Sequence, residues 1–158
     1  MAKFKKSLIV LIAITGVAIL LFSLQSSLRV SSPAGGRSNV LIDGQEVSVT
    51  IAQTMEEQRQ GLSGTPELRE STGMLFIYNQ HTIPQFWMKD MNYPIDIIWI
   101  KDNRVVGFVE NAPVPIPDQE LPRYHPDEPI NYVLEVPAGF VARYGTRIGS
   151  AFEYGLGN

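Results

Sequence analysis

Two carboxylates stand in settings that penalise charge. Asp96 interrupts Ile95-Asp96-Ile97-Ile98-Trp99-Ile100, a run otherwise apolar on both faces of a strand, and Glu135 interrupts Tyr132-Val133-Leu134-Glu135-Val136. A buried carboxylate without partners is strongly unfavourable, or is neutralised by a shifted pKa. Each therefore requires a cation or hydrogen-bond donors, and Lys89 and Arg59 are the expected cations. Two such carboxylates, tuned by Lys89, could serve as acid and base of a hydrolase or lyase. The plainer reading is an ion-pair network that fixes strand register. We favour it, because no nucleophile signature stands beside them.

A second constellation is soft: His81, Trp87, Met88 and Met91, with Met74 upstream. Thioether and imidazole ligands under an indole face could hold Cu(I) or Ag(I). Strand alternation argues against it, since Trp87 and Met91 would share a face that Met88 does not. Methionine beside aromatics is more often core. A third set, Trp87, Trp99, Tyr93, Phe108 and Tyr124, could line a groove for carbohydrate or peptide, although such rings also fill small β cores. His125, next to Tyr124 and Pro126, reads as a solvent-facing loop residue. The chain has no cysteine, so disulfides, thiolate metal sites and cysteine nucleophiles are excluded. It also lacks a Gly-x-Ser-x-Gly elbow, His-Glu-x-x-His, a phosphate loop and a dinucleotide fingerprint. No cofactor is expected.

The elements that must position these residues are short. Val40-Leu41-Ile42 and Val47-Ser48-Val49-Thr50-Ile51 flank Asp43-Gly44, a strong hairpin signal. Thr54-Met55-Glu56-Glu57 is a capping box that opens a helix ended by Gly61 or Gly64. Thr65-Pro66 suggests a second, single-turn start. Strands are expected over Met74–Tyr78, Gln85–Lys89, Ile95–Ile100, Val105–Glu110 and Ile130–Val136, with a turn at Asp102-Asn103. Ala138–Tyr144 suits a short helix and Ile148–Tyr154 closes the domain. Between Asn111 and Pro129 six prolines remove ladder donors, which leaves a long loop of the kind that is usually functional or disordered. The pattern predicts a mainly β domain, a compact β-sandwich or small barrel with one or two short helices.

Composition separates the N-terminus from the rest. Residues 1–35 carry Lys3, Lys5, Lys6 and Arg29 and no acid, so the remainder sets nine basic against sixteen acidic residues, a net −7. Leu8–Leu24 is broken only by Thr15, Gly16 and Ser23. As a helix it would span ~26 Å, enough for a thin bilayer core. A transmembrane anchor over 1–25 is the expectation, with a cleaved signal peptide as the competitor. The lysines would stay cytoplasmic and the domain would be exported, or secreted after cleavage. A flexible linker over 26–38, one domain over 39–154 and a tail over 155–158 complete the organisation. The acidic domain makes nucleic acid an unexpected partner.

Gly73-Met74-Leu75-Phe76, Phe86-Trp87-Met88-Lys89, Pro94-Ile95-Asp96-Ile97-Ile98 and Tyr132–Gly139, after Thr54…Arg59-x-Gly61-Leu62, resemble the "domain of unknown function 192" family. The resemblance covers nearly all of 39–154 and implies a compact β-rich sandwich or barrel, common in exported proteins, with no established activity. Ser63, Asp90 and Ser150 depart from its pattern, where methionine, asparagine and aspartate are usual. The sequence thus reads as a membrane-tethered, exported module that binds an envelope glycan or protein partner. Its binding surface would join Trp87, Lys89, Tyr93, Asp96 and Arg59 to the Asn111–Pro129 loop.

Overall fold

The computed structural model describes residues 36–155. Strand β1 (Arg37–Ile42) turns through Asp43 and Gly44 into β2 (Gln45–Ala52), with Ile42 opposite Gln45. Both turn residues have positive φ, 47° and 80°, the twist that a two-residue hairpin needs. Helix α1 (Met55–Gln60) follows. The Thr54 hydroxyl accepts from the Glu57 amide and the Glu57 carboxylate accepts from the Thr54 amide, so the capping box is complete, and Gly61 ends the helix.

Helix α1 is the crossover of a parallel β2–β3 pair, β3 being Thr72–Thr82. The hairpin of β4 (Ile95–Lys101) and β5 (Arg104–Ala112) comes next, then β6 (Ile130–Pro137), α2 (Phe140–Tyr144) and β7 (Phe152–Tyr154). All form one sheet in the order β5-β4-β6-β3-β2-β1-β7, antiparallel except at β2–β3. Its ends meet at one corner: Val105 N donates to Ser150 O at 3.0 Å, and Phe152 N donates to Asn103 O at 2.9 Å. The architecture is a mainly β half-barrel with two short helices. A single sheet realises the barrel alternative, not the two-sheet sandwich.

Alternation along β3, β4 and β6 builds two apolar layers. Leu75, Ile98, Ile100, Leu134 and Val136 face the barrel interior, where Phe140 and Val141 of α2 plug it. Met74, Phe76, Ile97, Trp99 and Val133 face outward beneath Leu62, Phe86, Met88 and Met91. The central strands are thus covered on both sides, which is why they read as continuous apolar runs.

Three expectations need correction. Gln85–Lys89 is not a strand but part of a strap across the outer layer, its one bridge being at Phe86, whose N–H and C=O bond Tyr124 at 2.8 and 2.9 Å. Its burial alternates like a strand's (Phe86 8%, Trp87 41%, Met88 1% exposed), which explains the misreading. Thr65-Pro66 starts no helix, because the Thr65 hydroxyl and amide are spent on Leu62 O. Helix α2 starts at Phe140 instead of Ala138, because Gly139 has φ 83°, outside helical space. The proline loop is irregular from Pro113 to Pro129 apart from the Tyr124 bridge. The expected membrane anchor lies outside the described residues. Among those residues no helix is long and apolar enough to cross a membrane.

Candidate functional site

Asp96 is opposite Val136 and Glu135 is opposite Ile97, so the two carboxylates are one register step apart on neighbouring strands. Side chains alternate faces, and a single step puts these two on opposite sides of the sheet. Asp96 faces the barrel interior and Glu135 the outer layer; the structure does not form the carboxylate pair. Nor does it supply the expected cations. Lys89 is exposed and contacts Asp90 at 3.4 Å. Arg59, exposed in the last turn of α1, makes no ion pair among the described residues.

Backbone amides take the cations' place at Asp96. Its Oδ1 accepts from Asn111 N at 2.8 Å and Gly139 N at 3.2 Å, and its Oδ2 from Val141 N at 2.8 Å. The fully buried carboxylate thereby fixes the end of β5 and the start of α2. Carboxylates hydrogen-bonded to several amides are well stabilised without a counter-ion. This is a structural device.

Glu135 is different. Its Oε2 is buried with no hydrogen-bond partner, and burial pushes its carboxyl up to about 8. Met74 and Ile97 are its cross-strand neighbours. Burial also raises the Tyr78 hydroxyl, and the charge of Glu135 adds to that. Tyr93 is raised by burial as well, opposed by its hydrogen bond to Thr65 and aided by Glu135. Burial thus favours the neutral form of the Glu135 carboxyl near pH 7.

Above this layer the strap and the proline loop enclose an open groove of about 610 Å³. Gly64, Lys89, Asp90, Met91 and Asn92 line one side and Pro115 and Leu121 the other. Its wall is stapled by hydrogen bonds from Gly64 N to Asp90 O, Ser63 Oγ to Lys89 O and Asn92 Nδ2 to Thr65 O, each 2.8 Å. Ser63 thus carries one of these staples. On the same strap Trp87 is 41% exposed, with the Arg123 guanidinium 4.3 Å from its ring centroid. Val114 and Ile116 add exposed apolar surface in the proline loop.

The expected binding residues therefore separate. Trp87 and Lys89 lie on the strap surface and Tyr93 is half-buried beside it, whereas Asp96 belongs to the interior. The soft constellation separates too: Met88 and Met91 are buried with Met74, while His81 is on the surface, 3.0 Å from Asp102. Strand parity would have divided Met88 from Met91, but the strap's turn, with Met91 N on Met88 O at 3.2 Å, buries both. Arg123, Tyr78, Asn92 and Leu121 escaped sequence reasoning. Only the proline loop's length pointed near two of them.

A mainly β half-barrel whose outer face is strapped by an aromatic-methionine loop defines the class of domain. The chain belongs to the family described as Uncharacterized ACR, the domain of unknown function 192, whose model matches residues 38–154. A Sinorhizobium meliloti 1021 protein described as a candidate transcription regulator has a similar structure, with TM-score 0.69 and 27% identity over 78% of this chain and 97% of that one. A protein of unknown function from Novosphingobium aromaticivorans DSM 12444 gives TM-score 0.64 and 28% identity over 79% and 94%. No curated protein matches the chain.

Proposed function

We propose that the chain is a membrane-tethered, exported, non-catalytic module that binds an envelope glycan in the groove between strap and proline loop. The observation that carries this reading is the open groove beside an exposed tryptophan backed by Arg123. Flat aromatic surface next to a few amides and charges is the chemistry that saccharide recognition uses. The tether rests on the apolar run Leu8–Leu24 behind Lys3, Lys5 and Lys6, and export on the positive-inside rule. The hydrolase or lyase alternative loses its basis, because Asp96 and Glu135 lie on opposite faces. Transcriptional regulation is said of the Sinorhizobium protein; here the net −7 beyond residue 35 opposes binding to phosphates.

The test is a thermal melt of the full chain in detergent against envelope oligosaccharides, peptides, Ag(I) and divalent metals. An oligosaccharide at ~100 times its dissociation constant should stabilise by ~2.7 kcal/mol, a rise of several degrees. A shift with peptides alone would replace the glycan by a protein partner. A shift with Ag(I) alone would restore the thioether reading.

A further inference from the structure

The surface of the groove continues along the strap to a cation. Phe86 pairs antiparallel with Tyr124, and Pro122, which has no N–H, keeps the pairing to that one bridge. The next residues stay in step: Trp87 meets Arg123, whose guanidinium is 4.3 Å from the ring centroid. Two residues further along each segment, Lys89 and Leu121 line the two sides of the groove. Extended side chains return to one face at every second residue, so Trp87 and Arg123 lie about 7 Å along that face from Lys89 and Leu121. Burial follows the same alternation, with Phe86 and Met88 buried and Trp87 and Lys89 exposed. The charge at this end is uncompensated. Lys89 is taken up by Asp90 at 3.4 Å, whereas Arg123 makes no ion pair among the described residues, and neither do Asp118 and Glu120 of its own loop. A guanidinium held against a ring keeps its N–H fork for a planar acceptor with two oxygens. On a saccharide that group is the carboxylate of an acidic sugar. Arg123 meets this single charge locally, while the domain's net −7 acts over a longer range that salt screens.

We propose that the groove selects carboxylate-bearing saccharides, with Arg123 receiving the carboxylate and Trp87 positioning the guanidinium. This rests on the glycan reading above and narrows it to acidic sugars. No covalent bond changes and no proton moves. An esterified sugar has the same ring but offers only uncharged oxygens, which form the weaker hydrogen bond.

The experiment is calorimetric titration of the full-length chain in detergent with tetragalacturonic acid and its methyl ester, at about pH 7, where the acid is ionised. The expected result is about tenfold tighter binding of the acid, in line with a hydrogen bond between charged groups. Arg123→Gln should bring the two affinities together, and Arg123→Lys should restore only part of the difference, because an ammonium lacks the fork. Acid and ester are first compared on the unaltered chain, so the test survives a variant that fails to fold. Equal affinities would overturn the carboxylate site and leave the glycan groove standing. A preference for the acid that persists in Arg123→Gln would also overturn it. If neither form binds, the carboxylate site falls, and the glycan reading falls with it only when neutral oligosaccharides do not bind either. Binding of an acidic peptide but of no saccharide would overturn both and move the occupant to a protein.

Discussion

Glu135 and Asp96 show how one residue type takes opposite roles on two faces of a sheet. Folded, Glu135 holds its proton up to about pH 8, against a reference of 4.5. Between those values the folded chain binds more protons than the unfolded one, so this contribution to stability is full below the lower value and falls as pH rises towards 8. Glu135→Gln removes the dependence. Unfolding curves of the two proteins should coincide near pH 4.5 and separate towards pH 8, the variant becoming the more stable by roughly 2–4 kcal/mol. Parallel curves across that range would show that the carboxyl is ionised when folded. Asp96→Asn should lower stability by about 2–4 kcal/mol in urea titration, because an amide cannot accept all three backbone bonds and turns donors towards donors. A change under about 0.5 kcal/mol would contradict the structural role. That both residues are buried was legible from their apolar neighbours. The partners of Asp96 were not, because Asn111, Gly139 and Val141 come from segments further along the chain, and the face each side chain takes depends on register.

At the scale of elements, local chemistry was legible and topology was not. The Asp43-Gly44 turn and the Thr54 capping box are written in adjacent residues, and both form. Thr54→Ala should cost about 1 kcal/mol of stability, read from the denaturation midpoint at constant slope. The parallel β2–β3 pair is long-range and leaves no local mark. On its other side β3 packs closely on β6 at Gly73, where an added Cβ would lie 2.5 Å from the Glu135 carbonyl oxygen. Backbone cannot yield as a side-chain tip can, so Gly73→Ala should destabilise by about 2–3 kcal/mol and lower the melting temperature. A neutral result would mean that β3 and β6 separate without penalty. The strap was misread because its alternating burial imitates a strand, while its hydrogen bonds go to the proline loop.

Across the described domain, the half-barrel supplies the floor, and the strap and proline loop supply the surface above it. Composition fixed the acidic character of the domain and the apolar run ahead of it. The groove emerges only when residues 64, 89–92, 115 and 121 are brought together by the fold. The binding account stands most directly on Trp87, which is exposed on the strap and contributes little to the core. The decisive measurement is equilibrium binding of envelope oligosaccharides to the intact chain and to Trp87→Ala, with unfolding followed on both. The account predicts that the variant keeps its stability to within about 1 kcal/mol and loses at least about tenfold in affinity. Unchanged affinity with unchanged stability would contradict it and remove the groove as the binding surface.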